Sequence, residues 1–222
     1  MTGTFDLDAN LFMAVRRAVA DDESSRIRLL GVLVEPRESG GAFLVATDGR
    51  VMLVGLDQSA TATRPTILRL KMPQRELDEW GDEIEFTPWD RSRLHMEIDG
   101  QNAPSVAHFH NPSSRGYFHA LVEEIEDAKH YPDWRAVMTG KVKVKQVQKP
   151  YNDFGINARI LSRVQGTEPA LHLEQPSEDG APWRIGFERG DLTGVIMPRL
   201  METMDNLALT TIHQDVKARG DG

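Results

Sequence analysis

Hydrophobic residues near the start of the chain recur at the spacing of a helix that packs one face against a core. They follow the i, i+3, i+4, i+7, i+8 pattern and are Leu11, Ala14, Val15, Ala18 and Val19. Asp8 comes shortly before them and has a side chain suited to an N-cap. We therefore predict an amphipathic helix that begins after Asp8 and carries Arg16 and Arg17 off its apolar face.

Three stretches rich in strand-forming apolar residues follow this helix, at residues 28–35, 42–46 and 51–56. Short apolar runs bounded by turn residues are typical of strands. Asp48-Gly49 separates the last two stretches and has the composition of a tight hairpin turn. The first unit of the chain is therefore predicted as strand, helix, strand, strand, strand.

The same order recurs in a second copy, which indicates internal duplication. The predicted elements are a strand at residues 66–70, a helix at 73–80, strands at 83–87 and 94–98, and a last strand at either 106–110 or 117–122. Residues 123–140 are acidic and then contain Tyr131-Pro132-Asp133-Trp134, and we interpret them as a linker to the third copy.

A third copy of the unit is fainter. Residues 141–145 alternate, and Asn157 can cap a helix whose apolar residues are Ile160, Leu161 and Val164. Strands are then predicted from Leu171, Trp183 and Thr193 onward. The chain is therefore interpreted as an α+β protein built from repeated units.

Composition narrows the class of protein. The 222 residues are 40% hydrophobic, which is enough for a core in one large or two modest domains. A formal charge of −8 argues against a generally basic DNA-gripping surface, although a ring can keep basic residues on its inner wall. The absence of cysteine excludes disulfides and thiolate-ligated metals. No apolar run approaches the roughly 20 residues of a membrane span, and residues 1–6 do not resemble a signal peptide, so we expect a cytoplasmic protein.

Three short strings stand in order along the chain: Ala46-Thr47-Asp48-Gly49-Arg50, Tyr131-Pro132-Asp133-Trp134 and Val195-Ile196-Met197-Pro198. Together they resemble the bacterial sliding clamp family, the ring-shaped processivity subunit of DNA polymerase III. The resemblance implies a DNA-clamp fold of repeated units, with sheets outside and helices inside. It divides the chain into a complete clamp-like domain at residues 1–122, a linker at 123–140, a partial domain at 141–203 and a C-terminal tail at 204–222. The first domain of the family and half of its last domain have no counterpart here.

In that family, a pocket between the last two domains holds short linear motifs of polymerases and of the clamp loader. The resemblance implies a pocket lining of Leu29, Thr47, Gly49, Arg50, Met52, Val195, Met197 and Pro198. Apolar side chains and adaptable methionines suit the Leu and Phe anchors of a partner peptide. The alternative is that Met197-Pro198 simply ends a strand and that Leu29 is an ordinary core residue.

The resemblance also implies sequence-independent contact with double-stranded DNA. The candidate DNA-facing residues are Arg16, Arg17, Arg75, Arg159 and Arg163, on helix faces away from the core. A few phosphate contacts give loose attraction that suits sliding, whereas ordinary solvated helix faces are the alternative. Three repeats cannot encircle a duplex, so a ring requires a homo-oligomer.

The sequence offers few candidate catalytic or metal-binding residues. His108-Phe109-His110 puts two imidazoles on one face of a strand, but no carboxylate follows at a motif distance, and we expect no metal site. Serine-hydrolase, P-loop and dinucleotide motifs are missing from the sequence, so we expect neither catalysis nor a cofactor. The predicted function is a sliding clamp or clamp-like processivity factor. The alternative is a shortened relative that does not encircle DNA and acts as a peptide-binding decoy or regulator.

The tail carries Asp205-Asn206-Leu207-Ala208-Leu209, which faintly resembles the Gln-Leu-x-Leu motifs of clamp partners. One hypothesis is that the tail occupies the peptide pocket and regulates access to it. A disordered or strand-extending tail is the alternative.

Overall fold

A computed structural model provides the structure of the protein. It describes residues 3–20, 27–71, 92–98, 105–110, 117–125, 128–139, 154–155, 158–165, 171–174, 182–197 and 199–200. The elements predicted at residues 73–80, 83–87 and 141–145 lie outside this range, as do Asn157, the tail at 204–222 and the site candidates Arg75 and Pro198.

Strands dominate the described part of the chain. Their bounds are β1 (Gly3–Asp8), β2 (Val32–Pro36), β3 (Ala42–Thr47), β4 (Val51–Asp57), β5 (Thr61–Ala62), β6 (Thr66–Lys71), β7 (Arg93–Ile98), β8 (Ser105–His110), β9 (Tyr117–Ile125), β10 (Phe154–Gly155), β11 (Leu171–Glu174), β12 (Trp183–Phe187), β13 (Leu192–Ile196) and β14 (Arg199–Leu200). The α-helices are α1 (Ala9–Arg16), α2 (Trp134–Met138) and α3 (Ala158–Gln165). None of these helices has the length and apolar character needed to cross a membrane. The fold class is therefore a sheet-rich α+β fold, as predicted.

Twelve of the strands form one sheet in the order β11-β12-β13-β4-β3-β2-β6-β9-β8-β7-β1-β5, and β10 pairs with β14 in a second, two-stranded sheet. Every pairing between these strands is antiparallel. The two faces of an antiparallel sheet can pack against different parts of the chain, and the two faces of this sheet do so.

The strand pairing links the predicted units to one another. β1 of the first unit pairs with β7, the strand predicted at residues 94–98 in the second unit. β6, the first strand of the second unit, pairs with β2 of the first. In the third unit, β10 pairs with the short β14. The first two units therefore contribute neighbouring strands to one sheet.

Several predicted boundaries shift. Residues 27–29 form a 3-10 turn, and the strand predicted at 28–35 begins only at Val32. The Leu30 N–H donates to the Ile27 carbonyl at 3.0 Å and closes this turn, and the Leu29 carbonyl accepts from the Ala20 N–H at 3.0 Å, which ties the turn to the segment that follows α1. Both alternatives for the last strand of the second unit are strands, β8 and β9. β9 also extends into the predicted linker, because Glu123 and Glu124 pair with β6.

Helix α1 is capped as predicted, since the Asp8 carboxylate accepts from the Leu11 N–H at 2.8 Å. The helix ends at Arg16, earlier than the periodicity suggests. It lies against β4 at Gly55, where a Cβ would come within 2.8 Å of the Leu11 side chain and 3.1 Å of Val15. The missing side chain at Gly55 therefore lets α1 sit directly on the sheet.

Alternation along the strands separates two apolar cores. The helix face is the face covered by α1 and α3, and its core includes Leu11, Val15, Leu44, Leu53, Leu68, Ile160, Val164 and Ile196. The outer face is the opposite one, and its core includes Leu33, Val45, Met52, Val54, Ile67 and Val195. Residues 128–139 supply Tyr131 and Trp134 to this outer core. The segment predicted as a linker is thus folded onto the sheet.

Strand β13 joins the third unit to the first by pairing with β4. The two strands approach closely at Gly194, where a Cβ would lie 2.5 Å from the Met52 carbonyl oxygen. Because a backbone atom cannot yield as a flexible side chain can, any larger residue at this position must push the strands apart.

We expect Gly194→Ala to lower the free energy of unfolding by about 1–3 kcal/mol, the usual cost of overpacking. Urea unfolding followed by circular dichroism measures the change. Gly190→Ala is the matched control, because a Cβ at Gly190 meets nothing within 4 Å. Equal effects of the two substitutions would show that the close approach of β13 to β4 is unimportant for stability.

Candidate functional site

Two predicted pocket residues meet at the junction of the first and third units. Met52 of β4 and Val195 of β13 are register partners. Both are buried, with 4% and 3% of their surface exposed. Tyr131 and Trp134 pack in the same cluster, and α2 lies against β13. The floor of the candidate site is therefore an ordered apolar core beneath residues 128–139.

The covering segment is fixed by polar contacts around Glu35. Trp134 donates its indole N–H to this carboxylate at 3.0 Å, and Arg135 donates to both of its oxygens at 3.1 and 2.7 Å. Burial alone would raise the pKa of Glu35, but the hydrogen bonds from Arg135 and Trp134 outweigh it and lower the pKa. The Arg135 guanidinium also lies 4.1 Å from the Trp134 ring centroid. These contacts hold α2 in one position on the sheet.

Tyr131 anchors the start of the same segment. Its hydroxyl donates to the Val45 carbonyl at 3.1 Å, in the middle of β3. Burial raises the pKa of this phenol, and a backbone hydrogen bond from Thr47 opposes the shift only in part. The side chain is therefore held neutral and fully inserted in the outer core.

The turn between β3 and β4 forms the exposed edge of the site. The Thr47 hydroxyl donates to the Val51 carbonyl at 2.8 Å and accepts from the Gly49 N–H at 3.0 Å. Asp48 accepts from the N–H groups of Arg50 and Val51 at 2.8 and 2.9 Å. Gly49 has a φ of 86°, in the left-handed region that favours glycine. The turn is thus locally fixed, with Gly49 and Arg50 exposed.

Met197 lies directly beside this turn, because its N–H donates to the Arg50 carbonyl at 2.7 Å. It is half-buried, whereas Arg50 is exposed. The surface at this point therefore combines an adaptable thioether with a guanidinium, above the buried Met52 and Val195. Such a surface suits a peptide that carries an apolar anchor next to a carbonyl or carboxylate.

Leu29 occupies a separate small cluster with Ala20 and Leu30. Ile125 packs against both this cluster and the outer core. The structure therefore brings together the candidates of the β3–β4 turn and of the β13 end, whereas Leu29 lies in a different cluster that shares Ile125 with the outer core. Since 9% of its surface is exposed, Leu29 has the burial of a core residue.

The comparisons with known proteins bear on the fold. No protein-family model and no curated protein matches the chain. Solved structures do match it. The DNA polymerase III β subunit of Borrelia burgdorferi, in complex with a natural product, aligns with a TM-score of 0.55 at 12% identity over 90% of this chain and 63% of that chain. The Helicobacter pylori β clamp bound to a DNA ligase peptide aligns with a TM-score of 0.54 at 13% sequence identity, over 90% of this chain and 66% of that chain. The Pseudomonas aeruginosa sliding clamp aligns with a TM-score of 0.53 at 15% sequence identity, over 89% of this chain and 66% of that chain.

This chain has the fold of bacterial sliding clamps. It spans about 63% to 66% of the length of these three clamps. Identities of 12% to 15% establish likeness of the backbone, not of any particular side-chain site. The predicted clamp resemblance is confirmed at the level of the fold.

Four of the five positions predicted to face DNA lie in the described part of the chain, at residues 16, 17, 159 and 163. Arg16 and Arg17 are half-buried at the end of α1, and burial lowers the pKa of Arg17. Arg159 and Arg163 occupy positions one turn apart on α3. Because α1 and α3 cover the same core, these positions share one side of the sheet.

The pocket residues predicted from the sequence leave out several side chains that complete the apolar floor of the candidate site. Tyr131, Trp134 and Ile125 surround its floor, and Val137 and Met138 pack beside them. The sequence signal that could have identified them is the group of aromatic and apolar residues within the otherwise acidic segment at residues 123–140. Among the described side chains, no three His, Asp or Glu groups lie close enough to hold a metal ion.

Tyr131→Phe removes the hydroxyl bond to Val45, and we expect it to cost about 1 kcal/mol of unfolding free energy near pH 7. In the native protein the raised pKa keeps the phenol protonated, whereas the unfolded chain releases this proton from about pH 10. Stability from this group is therefore present below pH 10 and lost as pH rises.

We expect the unfolding free energy of the native protein to fall by up to about 1.4 kcal/mol per pH unit above pH ~10 through this group. The Tyr131→Phe variant should lack this contribution. Urea titrations between pH 8 and pH 11 compare the two slopes, and identical slopes would contradict the assignment of a buried neutral phenol.

Proposed function

We propose that this protein is a clamp-like processivity factor, which tethers polymerase-type partners to double-stranded DNA and has no catalytic activity of its own. The observation that carries the proposal is the sliding-clamp fold over about 90% of the chain. A role in DNA replication also agrees with a cytoplasmic location.

The proposed partner surface is the outer-face edge formed by Arg50 and Met197 above Met52 and Val195. The Helicobacter pylori β clamp was solved with a DNA ligase peptide, which supports short linear motifs as ligands for this fold. The polymerase and the clamp loader are the proposed sources of such motifs. Apolar anchors of the peptide would contact Met197, and the Arg50 guanidinium would donate hydrogen bonds to a carbonyl or carboxylate oxygen of the peptide.

The proposed DNA surface is the helix face. Arg16 and Arg17 on α1, with the arginine positions 159 and 163 on α3, give this side its basic residues. Contacts to phosphates alone carry no sequence information, so binding would be independent of sequence and weaken with salt. Encircling a duplex would require a homo-oligomer, because the chain spans only part of a clamp protomer.

Within this proposal the chain has the organisation predicted from its sequence. Residues 1–122 form a two-repeat clamp-like domain, and residues 141–203 form a one-repeat partial domain. Residues 123–140 connect them, and residues 204–222 form a tail. The pairing of β13 with β4 supports this division, because it joins a strand of the partial domain to a strand of the two-repeat domain.

Peptide binding is tested with a fluorescent peptide that contains a Gln-Leu-x-Leu motif, titrated with the full chain in a polarisation assay. We expect Met197→Ala to weaken binding about fivefold or more, since truncation of a residue that anchors a partner costs more than about 1 kcal/mol. Leu121→Ala is the matched control, because Leu121 is an apolar residue of β9 that is 48% exposed.

Loss of binding in Met197→Ala but not in Leu121→Ala supports the proposed partner surface. If the native protein does not bind the peptide, or if both variants bind it equally well, the peptide-tethering part of the proposal is wrong. Circular dichroism of each variant shows whether a loss of binding reflects a loss of fold.

Ring formation is tested by light scattering over a concentration series. We expect a discrete homo-oligomer of closed symmetry, whose binding to circular duplex DNA is lost when the DNA is linearised. A strict monomer that still binds the peptide would contradict the encircling function. It would favour the alternative of a shortened clamp relative that acts as a peptide-binding decoy or regulator.

A further inference from the structure

The third unit arranges its described elements as the first unit does. β10 precedes α3 as β1 precedes α1, and three consecutive strands follow each helix. These strands are β11, β12 and β13 in the third unit and β2, β3 and β4 in the first, and each set pairs antiparallel in chain order. The third unit can therefore be compared with the first strand by strand.

Two strands of the first unit have partners that belong to another unit. β1 pairs with β7 and β2 pairs with β6, so the second unit supplies a strand to each. Their counterparts in the third unit are β10 and β11. Among the described residues, β10 pairs only with β14, and β11 pairs only with β12, at the end of the twelve-stranded sheet. Within this part of the chain, the third unit thus lacks the two strands that the first unit receives.

The outer edge of β11 is suited to accept another strand. A strand edge without a neighbour presents a row of N–H and C=O groups that can pair with another chain. β11 has the sequence Leu171-His172-Leu173-Glu174, without the lysine or proline that often protects an edge. The opposite end of the sheet is β5, which has only two residues. The edge at β11 is therefore the longer template for strand addition.

The apolar residues of β11 and β12 are less buried than those of their counterparts. Leu173, Trp183 and Phe187 pack against the helix-face core but are only half-buried. On β2 and β3, by contrast, Val34 and Leu44 are completely buried in the same core. The apolar face of α3 already packs into this core, so the exposed part of the three side chains needs a different cover.

A second copy of the same chain fits this edge, because the third unit carries both of the strands that the pairing requires. β2 is paired with β6, the first strand of another unit. In the third unit, the described strand that precedes the helix is β10. When β11 of one copy pairs with β10 of another, a two-fold axis makes the reverse pairing identical. The edge is therefore self-complementary.

We propose that two copies of this chain join through their third units, with β11 of each copy paired antiparallel to β10 of the other. The joint buries Leu173, Trp183 and Phe187 and completes a two-unit domain from two halves. The inference goes beyond the proposed function, because it names the surface through which copies associate. It rests on strand pairing and burial, and it does not depend on binding of DNA or of a peptide.

The first test is sedimentation velocity of the full chain over a concentration series. We expect dimers, or larger oligomers with an even number of chains. Leu173→Lys should weaken this association about tenfold or more, because the joint would bury an ammonium group without a partner. Val106→Lys is the matched control, since Val106 is 43% exposed and β8 has a neighbour on each side. Circular dichroism of both variants shows whether they are folded.

The second test places disulfides across the joint. The chain has no cysteine, so a disulfide can form only between engineered positions. One chain carries Gly155→Cys in β10, and a second chain with a different tag carries cysteine at one of residues 171–174 in turn. Opposed residues of antiparallel strands have Cα atoms about 4.5–5.5 Å apart, which is within disulfide reach. We expect a mixed disulfide dimer for at least one position of β11. Gly190→Cys in the second chain is the control, because it lies in the turn before β13.

A strict monomer overturns the proposal, because it means that another part of the same chain covers the edge or that nothing does. The proposal is also wrong if folded Leu173→Lys associates as tightly as the native chain, or if no position of β11 links to residue 155 better than residue 190 does. An oligomer that persists in Leu173→Lys would leave ring formation possible through another surface. Conversely, a cross-linked dimer that binds neither peptide nor DNA supports this joint and contradicts the proposed function.

Discussion

The pairing of β13 with β4 is the interaction on which the rest of the structure depends. A hydrogen bond lies just beyond each end of the paired segment. At one end the Leu56 N–H donates to the Asp191 carbonyl at 2.7 Å, and at the other the Met197 N–H donates to the Arg50 carbonyl at 2.7 Å. Gly194 makes the close approach possible because it has no Cβ. Through this pairing, a segment near residue 195 completes a surface begun near residue 50. The sheet of the first two units thus continues into the third.

The outer core depends on that continuity and on the segment that covers it. Residues 128–139 place Tyr131 and Trp134 over strands from both units, and Glu35 fixes their position through hydrogen bonds to Trp134 and Arg135. A surface supported in this way is ordered before a partner arrives. Preorganisation reduces the conformational entropy lost on binding, which favours a small exposed edge such as the proposed partner surface at Arg50 and Met197.

The sheet separates two surfaces of different composition. The helix face is covered by α1 and α3, and its core is continuous from the first unit to the third. The outer face carries the proposed peptide edge near β13. Alternation along each strand keeps the two faces apart, because neighbouring residues face opposite ways.

The sequence by itself determined the Asp8 cap of α1, the β3–β4 turn and the clamp resemblance, because each depends on residues that are close in the chain. It did not determine that Ile27–Leu29 is a 3-10 turn or that both β8 and β9 are strands. Those outcomes depend on hydrogen-bond partners from elsewhere in the chain. Only the tertiary structure decided that β13 pairs with β4 and that residues 128–139 cover the outer core. Local periodicity encodes neither strand register nor packing between segments that are far apart in the sequence.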